Sequence, residues 1–289
     1  MLFRSHLDLP VLSTVHGGQD RKVEVAPSRT LIEPTARYWK FDAMKKQYTP
    51  HPTRLPDTSR TVVTVSVIDA AGTPVPNVDV TLTLHAREGS AGHDHAGGKP
   101  TGIYQTLAHD PLPEGVINTG ASGVAKLYFV ASEVSGPVQL EGTSVNARPD
   151  TATVQVGIPG LAAMPPGPHY LFTGAVKGQH SDNHYGTPAA LAAFRQFADS
   201  LNQWIGEPLG INDVSLPQGG LFDVGGQQWE LPHGYHRRGT HADVRTKYAS
   251  RQVFSKKLQE RMRALWKLTL HFGEPVNEAD HLHLNYYPQ

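Results

Sequence analysis

Four side chains in this sequence have the types and spacing for metal-assisted hydrolysis. His236 and Asp243, with six residues between them, fall in Leu231-Pro-His-Gly-Tyr-His-Arg-Arg-Gly-Thr-His-Ala-Asp243, and His281-Leu-His283 follows about 40 residues later. If that later stretch is a strand, its period of two puts His281, His283 and Asn285 on one face and Leu282, Leu284 and Tyr286 on the other. One of the two histidines can then bind a metal while its neighbour reaches a water on that metal. His236, Asp243 and His283 could together hold a divalent zinc ion. Catalytic zinc sites commonly use three His, Asp or Glu ligands and keep one position open for water. The ion lowers that water's pKa from about 16 towards 7, so hydroxide is available at neutral pH. The layout is that of a hydrolase with Zn2+ as cofactor.

Neither half of the pattern is specific alone. Sixteen histidines in 289 residues give roughly one His-x-His by chance. His93-Asp-His95 is a second instance, and the glycines on either side of it predict a solvated loop rather than a preorganised site. Context carries more. Asn212-Asp-Val-Ser-Leu-Pro-Gln-Gly-Gly-Leu-Phe-Asp223, Trp229, Pro232-His233, His236-Arg-Arg-Gly239, Asp243 and His281-Leu-His283 occur in that order. In this the chain resembles the zinc peptidase superfamily of penicillin-insensitive murein endopeptidases, lysostaphin-type endopeptidases, D-alanyl-D-alanine peptidases and hedgehog signalling domains. Ser215-Leu-Pro-Gln-Gly-Gly220 is most similar to the murein endopeptidase branch.

The resemblance covers about residues 165–289. It implies zinc ligation by His236, Asp243 and His283, and a general base at His281. The implied reaction is cleavage of an amide bond in the peptide part of bacterial peptidoglycan, in the periplasmic cell envelope or outside the cell. The alternative is a zinc-containing surface binding or adhesion protein whose site is catalytically silent, as in the hedgehog relatives. His281 favours the enzyme, because a purely structural site needs no base.

Other residues could serve the same site. His233, three before His236, could share a helical face with it as a joint ligand; the family's six-residue interval favours His236. His241 would face the same side of a strand as Asp243 and is either a substrate contact or a polar packing residue. Asp213 or Asp223 could orient a ligand histidine through its second ring nitrogen, with turn capping as the competing role. Arg237 or Arg238 could pair with a substrate carboxylate. His184, like His180, precedes a predicted helix, where it lines a cleft or simply packs.

Composition narrows the class. Lys plus Arg and Asp plus Glu stand at 26 each, so no basic excess points to nucleic acid. No apolar run approaches the roughly 20 residues of a transmembrane helix. The absence of cysteine excludes disulfides, thiolate ligands and thiol nucleophiles. The first ten residues lack the sustained apolar region of a secretory signal, and nothing in the composition sets an oligomeric state.

The expected organisation is multidomain. Residues 1–57, rich in proline and basic residues, read as an extended leader or the remnant of a preceding region. Residues 58–157 alternate as short β-branched strands separated by turn residues. They predict an all-β immunoglobulin-like sandwich, similar to bacterial modules of the invasin and intimin kind. Residues 158–169 contain four prolines and read as a linker. Residues 170–289 then form the zinc peptidase domain: an α+β unit with a small antiparallel sheet and flanking helices at about Thr187–Ile205 and Ser250–Leu268.

Overall fold

The computed structural model describes residues 20–35, 38–42, 47–51, 57–93, 98–112, 115–174, 180, 182–223, 229, 235–270, 276–278 and 281–286. In chain order the strands and helices are β1 (Lys22–Pro27), β2 (Leu31–Ile32), β3 (Tyr38–Asp42), β4 (Gln47–His51), β5 (Arg60–Ile68), β6 (Asp79–Ala86), β7 (Gly102–Gln105), β8 (Val116–Asn118), β9 (Val124–Ala131), β10 (Gly136–Thr143), β11 (Asp150–Val156), β12 (Ala162–Ala163), β13 (Tyr170–Phe172), β14 (Tyr185–Gly186), α1 (Pro188–Ile205), β15 (Leu209–Asp213), β16 (His241–Arg245), α2 (Lys256–Leu270), β17 (Val276–Glu278) and β18 (His281–Asn285). The fold is β-rich and multidomain.

The first unit has a four-stranded sheet ordered β1-β5-β9-β7 and a five-stranded sheet ordered β2-β11-β10-β6-β8. Alternation builds its core. Val63, Val65 and Val67 on β5 meet Leu127 and Phe129 on β9, and Val80, Leu140, Val154 and Val156 come from the other sheet, all buried. The separation of residues 1–57 from this unit is corrected for residues 22–32. β1 pairs antiparallel with β5, β2 pairs parallel with β11, and Val23, Val25 and Ile32 are part of the core. The alternation in Lys-Val-Glu-Val is the physical reason: two inward valines bury too much apolar surface for the segment to stay extended in water.

The second unit is a five-stranded sheet ordered β13-β15-β16-β18-β17, with α1 and α2 packed together beside it. It is mixed rather than purely antiparallel, because edge strand β13 runs parallel to β15. Thr187 caps α1, its hydroxyl accepting from the Ala190 N–H, Pro188 occupies the first turn, and Gly206 ends the helix at φ 71. Leu191, Phe194, Phe197 and Leu201 form the buried stripe. α2 begins later than the sequence suggests because Ser255, whose hydroxyl accepts from the Leu258 N–H, sits just before it, leaving Val253 exposed outside the helix. Trp266 of α2 stacks on Phe194 at 5.7 Å and meets Phe197 edge-on at 5.5 Å, the arrangements aromatic quadrupoles favour.

The two units are in contact. Residues 158–169 are not merely a linker: β12 pairs with β14, and the buried Met164 donates its N–H to His184 O at 2.8 Å. The Ser215–Gly220 turn docks on the sandwich. Leu221 N–H donates to Glu133 O (2.7 Å), Ile158 N–H to Gln218 O (2.9 Å), and the Ser135 hydroxyl to Gly219 O (2.5 Å). A Cβ on Gly220, at φ 78, would lie 2.9 Å from Glu133 O, so the approach requires glycine there.

Two ion pairs cross the same junction, Arg237–Glu133 at 2.7 Å and Arg238–Glu33 at 2.9 Å. Arg237 is nearly buried, so Glu133→Ala leaves a guanidinium in a poorly solvated place. The expected loss is about 3 kcal/mol, the low end for removing one partner of a buried pair. Urea unfolding of the full chain measures it, and an unchanged midpoint would show that the pair does not hold the junction.

Candidate functional site

One face of the second sheet faces the helices, and the other carries the candidate site residues. Ile211, Ala242, Val244, Leu282 and Leu284 are buried in the helical core. The alternate positions point the other way, and register sets which of them meet. Asp243 lies opposite Asp213 on β15 and opposite His283 on β18, so these three form a row across adjacent strands. His241 is opposite Asn285, and Arg245 is opposite His281.

His236 reaches the row from the loop before β16. Gly220 N–H donates to Arg237 O at 2.9 Å, which pins that loop to the glycine turn. His236 Nδ1 donates to Val214 O at 2.8 Å, which turns Nε2 towards Asp243 Oδ2, 3.2 Å away. A backbone carbonyl on the far ring nitrogen is the usual way a protein fixes the tautomer of a ligand histidine. His283 Nδ1 lies 2.6 Å from Asp243 Oδ1, and His281 Nε2 lies 3.2 Å from Asp243 Oδ2. Candidate ligand atoms of His236, Asp243 and His283 all fall within 4.8 Å of one another, and all three residues are buried. Two imidazoles and one carboxylate are a zinc-type donor set, and the residues present fit that ion. His281, 15% exposed at its side chain, is the most open of the four.

The electrostatics follow from burial and crowding. Burial alone would raise the Asp243 carboxyl pKa; His236, His281 and His283 outweigh it and hold the pKa well below the usual range. Burial would lower His236, and the Asp243 carboxylate raises it. His241, with Nδ1 donating to Tyr235 O at 2.6 Å, is pushed down to about 3 by burial and by His283 and His236. It is a neutral, buried neighbour of His283. Burial pushes Asp213 up to about 6, against the pull of His236, and Asn183 Nδ2 donates to its Oδ1 at 2.6 Å.

Several sequence candidates sit elsewhere. Asp223 lies in a separate cluster with His93 and His180. His184 is buried with Nε2 on Ile211 O at 3.1 Å and its ring 4.4 Å from Phe172, and burial lowers its pKa. It braces β15. Arg237 and Arg238 are committed to the sandwich carboxylates, so neither is placed for a substrate carboxylate. His233 lies outside the described residues. A basic cavity of about 510 Å³ takes its walls from Arg245, Lys247 and Arg251, with Asn212, Tyr248 and Ala249. Sequence reasoning missed it because these cations converge only when β16 and the turn after it are folded. The Arg245 side chain lies over β15, donating to Asn212 Oδ1 at 2.9 Å and Thr173 O at 3.0 Å, so the cavity opens on the β13–β15 side of the sheet.

No family model matches the chain, and no curated protein matches it. Among solved structures, the chain is similar to a β-glycosidase from Bacteroides vulgatus at 10% identity and a TM-score of 0.29, covering 47% of this chain and 14% of that one. It is similar to the adhesin InvE of Yersinia pseudotuberculosis at 12% identity and TM-score 0.32, covering 49% and 33%. For the ZirS C-terminal domain the figures are 11% and 0.25, covering 54% and 82%. The chain thus spans about one seventh of the glycosidase and a third of the adhesin.

Proposed function

We propose that the second unit is an α+β zinc peptidase domain that hydrolyses amide bonds in the peptide part of bacterial peptidoglycan, in the manner of murein endopeptidases. The observation that carries this reading is the convergence of His236, Asp243 and His283 within 4.8 Å, with the imidazole of His281 3.2 Å from the shared carboxylate. His236, Asp243 and His283 would hold the metal. Zinc, when bound, polarises a carbonyl oxygen and makes hydroxide available at neutral pH.

The rest is done by the chain. His281 takes a proton from the attacking water as the C–O bond forms. It returns that proton to the amide nitrogen as the C–N bond breaks, and the second proton of the water passes from the new carboxyl to the amine, leaving a carboxylate and an ammonium. Asp243 orients His281 through Oδ2, and the Val214 carbonyl orients His236. Wall peptides carry carboxylates, and the cavity lined by Arg245, Lys247 and Arg251 offers them positive charge on the same sheet. A peptidoglycan substrate places the reaction in the cell envelope or outside the cell. Among the described residues no helix is long and apolar enough to cross a membrane.

The test is digestion of purified peptidoglycan by the zinc-loaded chain, with mass spectrometry of the released fragments. New amine and carboxylate ends within the peptide stems are expected. Intact walls in the presence of a zinc-loaded protein would leave the silent, adhesive alternative as the better reading.

A further inference from the structure

Phe222 lies between two sets of imidazoles. Its ring is 6.1 Å from that of His236 on one side and 5.3 Å from that of His180 on the other. On the His180 side His93, His180 and Asp223 converge, each at most 1% exposed, with candidate ligand atoms within 4.8 Å of one another. Asp223 Oδ1 is 3.0 Å from His180 Nε2 and 3.6 Å from His93 Nδ1, and those two nitrogens are 3.4 Å apart. The other carboxylate oxygen accepts the Trp229 N–H at 2.6 Å, which turns Oδ1 towards the two rings. Trp229 does this at φ 60, a costly backbone conformation for a bulky residue.

The three residues come from separate parts of the fold. His93 belongs to the loop between β6 and β7 of the sandwich, His180 precedes α1, and Asp223 follows the glycine turn. The expectation of a solvated His93 loop is corrected. Lys99 Nζ ties its base, donating to the Ser90 hydroxyl at 2.6 Å and to Arg87 O at 3.2 Å. Gly92, at φ 93, passes so close to the second unit that a Cβ would lie 2.6 Å from Pro217 Cδ. Glycine brings the loop in.

His93 Nδ1, at 3.6 Å from Asp223 Oδ1, is beyond hydrogen-bond distance of the carboxylate oxygen it faces, so the three groups surround a common point rather than simply pairing. With the carboxylate the two imidazoles supply three ligands of the type zinc takes from proteins, and a water would complete the tetrahedron. We propose that His93, His180 and Asp223 form a second zinc site, structural rather than catalytic, which fastens the sandwich loop to the peptidase-like unit. Complete burial suits a structural ion, because no substrate can reach it.

The experiment is zinc stoichiometry of the full chain by elemental analysis, after zinc loading and removal of loosely held metal. Two ions are expected per wild-type chain, one in His93→Ala, one in Asp243→Ala and none in the double variant. Asp223→Asn, which keeps shape and volume, guards against misfolding and should also lose one. In the Asp243→Ala background, added zinc should raise the melting temperature, and it should not in the double variant. A wild type with a single ion that His93→Ala and Asp223→Asn both retain would overturn the second site and leave the peptidase reading intact. A single ion lost with His93→Ala but kept by Asp243→Ala would support this site and sink the peptidase reading.

Discussion

Asp243→Ala is expected to lose one equivalent of zinc and all detectable hydrolysis of peptidoglycan. Asp243 is the residue on which the cluster converges, with imidazole nitrogens of His236, His281 and His283 at 3.2, 3.2 and 2.6 Å from its oxygens. Without it only two ligand atoms remain, and a two-ligand site holds metal far more weakly than a three-ligand one. His283→Ala should do the same, because it deletes a ligand from the same row. Asp213→Asn is the informative control. Asp213 is across the strand from Asp243 yet outside the ligand set, so its variant should keep the ion. Elemental analysis beside wall digestion decides the matter, and an Asp243→Ala protein with full activity would refute the proposed chemistry.

His281→Ala should separate proton transfer from metal binding. The variant is expected to retain zinc and to lose roughly 100- to 10,000-fold in turnover, the range for a lost general base. The acidic limb of the pH–rate profile reports a group that must be unprotonated, so it should shift or flatten when that imidazole is removed. A purely structural role would lower activity without changing the shape of the profile. If His281→Ala loses the ion and His283→Ala keeps it, the two histidines exchange roles.

Much of this site was legible before folding because it depends on period and register. Alternation in His-Leu-His-Leu-Asn puts two leucines into the helical core, and so fixes both histidines on the opposite face. The α1 stripe and its Thr187–Pro188 start follow from local chemistry in the same way. What failed to show depends on partners distant in sequence. Arg237 and Arg238 have the composition of carboxylate binders, and nothing local reveals that Glu133 and Glu33 are the carboxylates they meet. His93 sits among glycines that suggest mobility, and only the approach to Pro217 shows that Gly92 serves close packing. The alternation of Val23 and Val25 is local, and six residues of it cannot say which sheet they join.

The interior position of β18 has a consequence for the order in which the molecule is made. This strand pairs with β16 on one side and β17 on the other, yet it follows both in the chain. A ribosome producing about 5–20 residues per second reaches His283 some 2–8 seconds after Asp243. Throughout that interval the nascent chain owns His236 and Asp243 but neither of the other two histidines. It can form the sandwich, and it can begin to form α1, before the row of proposed ligands is complete. The proposed site is therefore assembled only after both units have begun to fold.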